Sequence, residues 1–444
     1  MNRASDASNM GFLSHFVNAA SEHIATAIFE ASCRATMGLK MGFLFYMLVL
    51  QSLWTPLECF HICNSPRVRS LALCGDMNDE ERTKSASVLC IGDALFDCIA
   101  NDDARGLSVE EMLGKGSWRA FPGGAPANVA TACRKLGTSS AFVGCLGADE
   151  DGDELETLLH DTGVDVTLVQ RATDGSPTRR VMVTRSLEGD REFGGFYGGR
   201  SADEFADCQL DYRLIFPEND GIQGMATTLV AEADWFVCST LSLAFEKSAD
   251  TIHKLVNCGL ESGSRLCVDI NWRPVFWPLG AEDEAREEIF SFAQRAHIVK
   301  LTDEEAEWLL GIPPAEALSD PSKIHEKFPN ALGVLVTAGE KGAAYSLLGA
   351  CGRVEPFAVD VQETTGAGDA FTAGILHGLL SLETDLDSFE ARVSPDERKK
   401  RIDPLVRFAA ATGALTCTKE GAIAAQPTFA DVKTFLTHGE KVSV

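Results

Sequence analysis

The sequence predicts an α/β protein in which a mainly parallel sheet is covered by helices on both faces. Runs of strand-forming residues alternate with helical ones, a pattern typical of strand–helix–strand units. Glycine turns and carboxylates follow several of these runs, and parallel sheets bind ligands beyond the carboxyl ends of their strands. The predicted strands are 141–143, 235–238, 265–270, 298–301 and 333–337, and the predicted helices include 282–296 and 322–328.

One segment interrupts the alternation. Residues 179–185 and 191–196 are extended patterns on either side of a turn at 188–190, which predicts a β-hairpin. Two interpretations stay open at this point: a hairpin that covers a ligand, and a plain surface hairpin whose arginines are solvated.

The glycine turn 364–369, Thr-Thr-Gly-Ala-Gly-Asp, runs directly into a helical pattern. Gly366 and Gly368 let backbone N–H groups approach an anion closely, and the first helical turn adds unpaired donors and the positive end of the helix dipole. Asp369 would repel a phosphate, so we interpret it as a general base for an attacking hydroxyl. The alternative is an ordinary helix N-cap. No G-x-x-x-x-G-K-[ST] motif occurs, and Phe371 occupies the third glycine position of a dinucleotide fingerprint.

A second glycine turn lies at 121–130, where Gly123 and Gly124 precede Asn128 and a helical pattern. Its backbone N–H groups and the Asn amide suit sugar hydroxyls, although a plain strand-to-helix turn has the same pattern. Just before it, 88–92 is predicted to be a buried strand that ends at Asp93 and Asp97. A carboxylate at that place can accept two hydrogen bonds from a diol.

Together these motifs resemble the ribokinase/pfkB family of sugar kinases, and most closely its fructokinase-like branch. Four further matches follow in family order between and beside the glycine turns, at 143–152, 269–274, 302–305 and 337–342. The resemblance covers roughly 87–428. It implies a ribokinase-like three-layer α/β/α sandwich at 87–430, with a small β lid around 112–124 and 175–200 and a C-terminal helix and tail at 431–444.

Carried over residue by residue, the resemblance implies a complete phosphoryl-transfer site that uses ATP and Mg²⁺. Asp369 would be the base, and the anion hole would consist of Gly366, Ala367 and Gly368. The sugar would be bound by Asp97, Gly123, Gly124 and Asn128, with Asn271 and Arg273 near the acceptor. The nucleotide would be bound by Thr302, Thr337, Gly339 and Gly342.

Three positions in this site depart from the family pattern or concern cations. Glu305 matches the acid that places magnesium through water, while Thr302 stands where the family motif has Asn. Glu363 stands where an Asp of the family helps bind an activating monovalent cation, so K⁺ activation is left open.

The predicted function is ATP-dependent phosphorylation of a sugar hydroxyl, with fructose as the first candidate. The resemblance also implies that the lid closes over the sugar, which would exclude water, and that it pairs two subunits into a homodimer. The alternatives are another acceptor, such as a ketodeoxygluconate-like acid, ribose or a nucleoside, and a noncatalytic plastid scaffold. The intact motif residues argue against the scaffold, which has no chemical need of them.

Charge and composition limit partners and location. A net charge of −26 argues against nucleic-acid or stable membrane association. Residues 1–86 are predicted to be an extension, rich in small residues early and apolar and uncharged at 41–57. This pattern favours organelle import, chiefly into a plastid, with the cytoplasm, a membrane anchor and a gene-model artefact as alternatives.

The 14 cysteines are scattered, and none forms a C-x-x-C pair. Because Cys90, Cys145, Cys238 and Cys267 lie in apolar runs, we expect buried free thiols rather than disulfides or zinc ligands. A weaker metal candidate in the extension comprises Cys59, His61 and Cys63.

Overall fold

A computed structural model describes residues 86–187, 191–216, 222–382 and 385–439. Several parts of the sequence-based interpretation lie outside the described residues. They are the extension up to residue 85, with its apolar segment and its Cys-His-Cys group, the hairpin turn 188–190, and the tail from residue 440.

The central sheet has eight strands in the order β14-β13-β12-β11-β10-β9-β1-β4. Strands β4, β1 and β9 to β12 run parallel to one another. At one edge of the sheet, β13 pairs antiparallel with β12, and β14 pairs antiparallel with β13. The strands are β1 (Val88–Ile91), β4 (Ser140–Val143), β9 (Trp235–Ser239), β10 (Arg265–Asp269), β11 (Ile298–Thr302), β12 (Gly333–Thr337), β13 (Ala343–Leu347) and β14 (Ala350–Val354). All five predicted strands are present within one residue of their expected bounds.

Both faces of this sheet are covered, as the fully apolar strands require. In β1, Val88 and Cys90 belong to a core formed with the helices that carry the two glycine turns. On the other face, the ring of Phe236 lies against Gly259 in the helix Glu246–Glu261. A Cβ added to Gly259 would be 2.5 Å from that ring. The predicted three-layer α/β/α arrangement is therefore confirmed.

Fourteen α-helices lie in the described residues, several of them with local capping signals. Ser108 and Thr302 each form a capping box with the Glu three residues later, and a left-handed Gly116 ends the first helix. The helices are α1 (Val109–Lys115), α2 (Ala125–Leu136), α3 (Glu150–Asp161), α4 (Tyr212–Ile215), α5 (Ile222–Glu232), α6 (Glu246–Glu261), α7 (Glu282–Ala293), α8 (Asp303–Leu310), α9 (Pro314–Ser319), α10 (Ser322–His325), α11 (Ala367–Leu380), α12 (Phe389–Arg392), α13 (Pro395–Thr416) and α14 (Phe429–Gly439). The two helices predicted at 282–296 and 322–328 are thus each three residues shorter than expected.

A second sheet of four strands has the order β3-β2-β7-β8. Its strands are β2 (Leu95–Ala100), β3 (Trp118–Gly123), β7 (Arg180–Arg185) and β8 (Arg191–Phe196). The antiparallel pairing of β7 with β8 confirms the predicted hairpin. Two short parallel strands, β5 (Cys145–Leu146) and β6 (Gln170–Arg171), form a separate pair.

Two expectations about the second sheet were wrong. Residues 109–115, which overlap the segment predicted as lid strand, are helical because Ser108 and Glu111 cap them; only 118–123 is a strand. Asp97 does not lie in a loop after β1 but within β2, opposite Phe121 and Val181. Gly92, with φ of 143°, turns the chain out of the central sheet, and the apolar run around Asp97 then forms a strand of its own.

The cysteines that the sequence predicts to be buried are free thiols. Cys90, Cys145, Cys238 and Cys267 are buried and unpaired, as expected. Burial raises the pKa of the Cys145 thiol to about 12, so it stays protonated at neutral pH. Within the described residues, no helix has both the length and the apolar character that a bilayer crossing needs.

Candidate active site

The carboxyl ends of the parallel strands bring the two glycine turns to one edge of the central sheet. Asn128 on α2 donates from Nδ2 to Asp369 Oδ2 on α11 at 2.8 Å, although 241 residues separate them. Asn128 is 3% exposed, and its Oδ1 has no hydrogen-bond partner among the described residues. A buried, unsatisfied amide oxygen is costly, so it marks a place where a ligand hydroxyl can donate.

The electrostatic environment suits Asp369 to proton transfer. Burial, followed by the negative charge of Asp269, raises the pKa of Asp369 to about 6, against the opposing effects of the Asn128 hydrogen bond, Lys300 and Arg273. A carboxylate with this pKa is mostly ionised at neutral pH and is a stronger base than an ordinary aspartate.

The turn before α11 combines a left-handed glycine with backbone N–H groups that precede the first helical hydrogen bond. Gly366 adopts φ of 79°, and a Cβ there would be 2.9 Å from the Cβ of Ala422. The first helical hydrogen bond runs from Ala370 N to Gly366 O at 2.9 Å, so the N–H groups of Gly368 and Asp369 come before it. The N–H of Ala367, in contrast, already donates to Thr364 O at 3.2 Å.

Three predicted sugar-binding residues adjoin one another beside Asn128. Gly124 has φ of 100°, and a side chain there would place Cβ 2.5 Å from the carbonyl oxygen of Asp93. A Cβ on Gly123 would lie 3.2 Å from Asp97 Oδ2. Asp97 comes from the second sheet, yet its carboxylate lies beside the glycine turn.

The segment after β10 connects the predicted acceptor and magnesium residues. Asn271 has φ of 35° and donates from Nδ2 to Ser239 Oγ at 3.1 Å. The backbone N–H of Trp272 donates to Glu305 Oε1 at 3.0 Å, and Arg273 Nη1 lies 3.7 Å from the same oxygen. Burial is the main cause that raises the pKa of Glu305 above its usual value.

The predicted nucleotide residues lie next to this group. Thr302 and Thr337 are paired at the carboxyl ends of β11 and β12. The Thr302 hydroxyl accepts from Glu305 N at 3.0 Å, so its side chain caps α8. Gly339 and Gly342 have φ of 51° and 87°, and a Cβ on Gly342 would meet Val354 O at 2.2 Å. Gly342 is thus required by close packing against the end of β14, whereas a Cβ on Gly339 would have no neighbour within 4 Å, so the backbone is open to a ligand there.

Glu363, the predicted monovalent-cation residue, lies behind the anion-binding turn. It is 4% exposed, and its Oε2 accepts from Gly421 N at 2.9 Å. The next residue, Ala422, contacts Gly366. The segment 421–422 therefore packs against both the Glu363 carboxylate and the glycine turn. Among the described residues, no three His, Cys, Asp or Glu side chains gather in a way that could hold a metal ion.

The sequence interpretation missed a buried ion pair beneath the turn. Lys300 Nζ donates to both carboxylate oxygens of Asp269 at 3.0 Å, and both side chains are almost fully buried. A Cβ on Gly368 would be 3.0 Å from this Nζ, so the ammonium supports the first turn of α11. The available signal was a lone lysine within the apolar strand 298–301, which has no reason to be charged unless it is paired.

A buried carboxylate with a raised pKa, an amide oxygen without a partner among the described residues and a glycine turn at a helix start therefore meet at one place. Groups of these types are the ones that transfer of a phosphoryl group to an alcohol requires. The profile of the family described as "pfkB family carbohydrate kinase" matches residues 85–429. The chain belongs to the pfkB family and is a carbohydrate kinase. The predicted resemblance is confirmed.

Individual relatives agree with this assignment. Probable fructokinase-2 of Arabidopsis thaliana is 34% identical over 349 residues, which cover 79% of this chain and 95% of the relative. Probable fructokinase-6, chloroplastic, of the same plant is 36% identical over 353 residues, covering 79% and 82%. The crystal structure of fructokinase with bound ATP from Xylella fastidiosa matches with a TM-score of 0.66 at 27% identity, covering 81% of this chain and 100% of that one. The predicted ribokinase-like fold is thus confirmed.

Proposed function

We propose that this carbohydrate kinase transfers the γ-phosphoryl group of ATP to a hydroxyl of fructose. The observation that carries the proposal is the hydrogen bond between Asn128 and Asp369, which places a base with a raised pKa beside a buried, unsatisfied amide oxygen. The relatives named as fructokinases support fructose as the acceptor.

In this proposal each group of residues has one task. Asp97, the Gly123 turn and Asn128 hold the sugar, and Asp369 accepts the proton of its attacking hydroxyl. The N–H groups of the turn before α11 stabilise the charge that develops on the transferred phosphoryl group. Thr302, Thr337, Gly339 and Gly342 hold the nucleotide, while Asn271 and Arg273 lie on the acceptor side.

The residues present fit the proposed cations in different ways. Both oxygens of Glu305 already accept backbone N–H groups, from Trp272 and Thr302, so this carboxylate suits Mg²⁺ held through water. Bound Mg²⁺ would neutralise phosphate charge. Glu363 remains the proposed ligand of a monovalent cation, and replacing K⁺ by a bulky organic cation in the assay tests it: equal activity would contradict this role.

The function is tested by measuring ADP release from ATP with fructose, ribose, a ketodeoxygluconate-like acid and a nucleoside. We expect the highest kcat/KM with fructose. In Asp369→Asn we expect kcat to fall by about 10² to 10⁴ because the general base is lost. The variant's melting temperature and ATP affinity should stay close to those of the wild type.

The possible outcomes separate the alternatives. Full turnover in Asp369→Asn would refute the role of the base. A higher kcat/KM with another acceptor would replace fructose, and no turnover with any acceptor would favour the scaffold.

We also propose that the four-stranded sheet is a lid over the sugar and that its hairpin pairs two subunits. Phe193 on β8 and Tyr197, which directly follows that strand, are 46% and 45% exposed, and exposed large rings are a feature of interaction surfaces. The β3 strand of the same sheet reaches the rim of the site, where Arg119 forms two 2.7 Å hydrogen bonds with Glu420.

For cellular location we propose a plastid, with the cytoplasm as the alternative. The support is the composition of residues 1–86 and the chloroplastic name of one relative. Imaging the fluorescently tagged full chain in cells that contain plastids tests this; a diffuse signal outside them would favour the cytoplasm.

A further inference from the structure

The buried Lys300–Asp269 pair is not used by any role assigned so far. The side chains of the two residues are 7% and 5% exposed, and the pair links β11 to β10 inside the sheet. Replacing a buried ion pair by apolar residues is often neutral or stabilising, so stability alone is a weak reason for charges at this position. A role in the neighbouring site is a better explanation.

We propose that Lys300 is a positioning residue for phosphoryl transfer: held by Asp269 beneath the first turn of α11, its ammonium supports the anion-binding turn and keeps Asp369 ionised. This inference rests on the proposed function of the same site. Its two parts, contact with the turn and charge beside the base, have separate support.

The contact is visible at Gly368. Because the Lys300 ammonium would be 3.0 Å from a Cβ there, it fills the space that any other residue's side chain would need. Lys300 therefore lies against the backbone whose N–H groups are proposed to face the phosphoryl group. An ammonium has three donors, and Asp269 occupies two of them at equal distances, so its position is well defined.

The charges around Asp369 come from several elements. Asp269 at the end of β10 is negative, whereas Lys300 on β11 and Arg273 after β10 are positive. Asp93 after β1 has a pKa raised to about 7, so it is largely protonated near pH 6. Asn128 on α2 contributes a neutral hydrogen bond. Of the two cations, Arg273 is 55% exposed and screened by water, which leaves Lys300 as the buried positive charge.

The pKa directions agree with this assignment. Burial opposes the charge on Lys300, yet Asp269, Glu305 and Asp369 raise its pKa above the usual value, so it stays protonated. Lys300 in turn lowers the pKa of Asp369, while Asp269 raises it. Removing Lys300 alone would leave Asp269 uncompensated beside the base.

The test compares the pH dependence of kcat/KM in the wild type, Lys300→Met, Lys300→Arg and the double variant Asp269→Asn/Lys300→Met. The acid limb of the wild type should lie near pH 6, the pKa of Asp369. In Lys300→Met we expect it about one pH unit higher, since an adjacent opposite charge typically shifts a carboxyl by about 1 to 3 units. In Lys300→Arg and in the double variant, the acid limb should return most of the way to its wild-type pH.

A matched control is Lys323→Met, which makes the same chemical change at an exposed lysine, 49% accessible and paired with Glu316. Its pH profile should equal that of the wild type. An unchanged acid limb in Lys300→Met, with only a lower melting temperature, would overturn the inference and leave Lys300 a structural residue.

If Lys300→Met does not fold, the double variant keeps the test decisive, because the double variant buries no unpaired charge. An acid limb of the double variant that lies a full pH unit from that of the wild type would then count against the proposal. The wild type in the same assay separates the two proposals. If it phosphorylates no sugar, the proposed function fails, whereas an active wild type with an unmoved limb in the variants defeats only the role of Lys300.

Discussion

Asp93 is a buried acid at the end of β1, where the sequence predicts a carboxylate that can bind a diol. It is 1% exposed, and its Oδ1 has no hydrogen-bond partner among the described residues. Burial, followed by the charge of Asp207, raises the pKa of Asp93 to about 7, against the opposing effects of its own backbone and Arg179. Its ionised form is therefore costly in the folded state at neutral pH.

This costly charge predicts that Asp93→Asn stabilises the protein at alkaline pH. The folded-state pKa lies above the unfolded value, so folding takes up a proton between about pH 4 and 7, and the wild type loses stability as the pH rises through 7. The gain in unfolding free energy from Asp93→Asn should be on the order of 2 kcal/mol larger at pH 8 than at pH 5. Urea unfolding at both pH values measures it.

Asp161→Asn is the matched control, because that side chain is 72% exposed. Its effect on stability should be small and similar at the two pH values. If Asp93→Asn gave the same increment at pH 5 and pH 8, Asp93 would not carry the raised pKa.

At the scale of elements, the hairpin β7–β8 is fixed firmly at its base. Arg179 immediately precedes β7 and forms two 2.8 Å hydrogen bonds with Asp207. Its guanidinium carbon lies 4.5 Å from the ring centre of Phe205 and 4.9 Å from that of Phe276. Because this arginine is buried among aromatic rings and forms two hydrogen bonds with one carboxylate, it holds the second sheet against the main body of the kinase.

The exposed rings further along this hairpin predict a dimer contact. Phe193→Asp should convert a proposed homodimer into a monomer, because a charge would be buried without a partner at the subunit interface. Size-exclusion chromatography with light scattering measures the mass. Leu214→Asp, at an apolar side chain that is 52% exposed on α4, is the control and should leave the mass unchanged. A wild-type monomer would contradict the proposal.

At the scale of the whole molecule, the site exists because parallel strands end in line. The register pairs Asp269 with Lys300 and Thr302 with Thr337, so residues from three successive strands meet at one edge. The helices α2 and α11 then pack side by side on one face and bring Asn128 to Asp369. Neither turn alone would contain both a base and a binding site for the alcohol.

The sequence by itself determined the alternating α/β pattern, the two glycine turns and the chemical type of each residue in them. These features are local: glycine is needed where φ is positive, as at Gly124 and Gly366, and a helix start after such a turn has free donors whatever surrounds it. They were enough to predict the fold and the family, and they are the basis of the proposal that Asp369 is the base.

Only the tertiary structure decided the contacts between distant segments. Asp97 proved to belong to a second sheet, and the pairs Lys300–Asp269 and Arg179–Asp207 were not predicted. The physical reason is that a buried charge is tolerated only beside its partner, and the partners lie 31 and 28 residues away on other elements. Spacing along the chain does not reveal which segments pack together, so these pairs became visible only in the folded molecule.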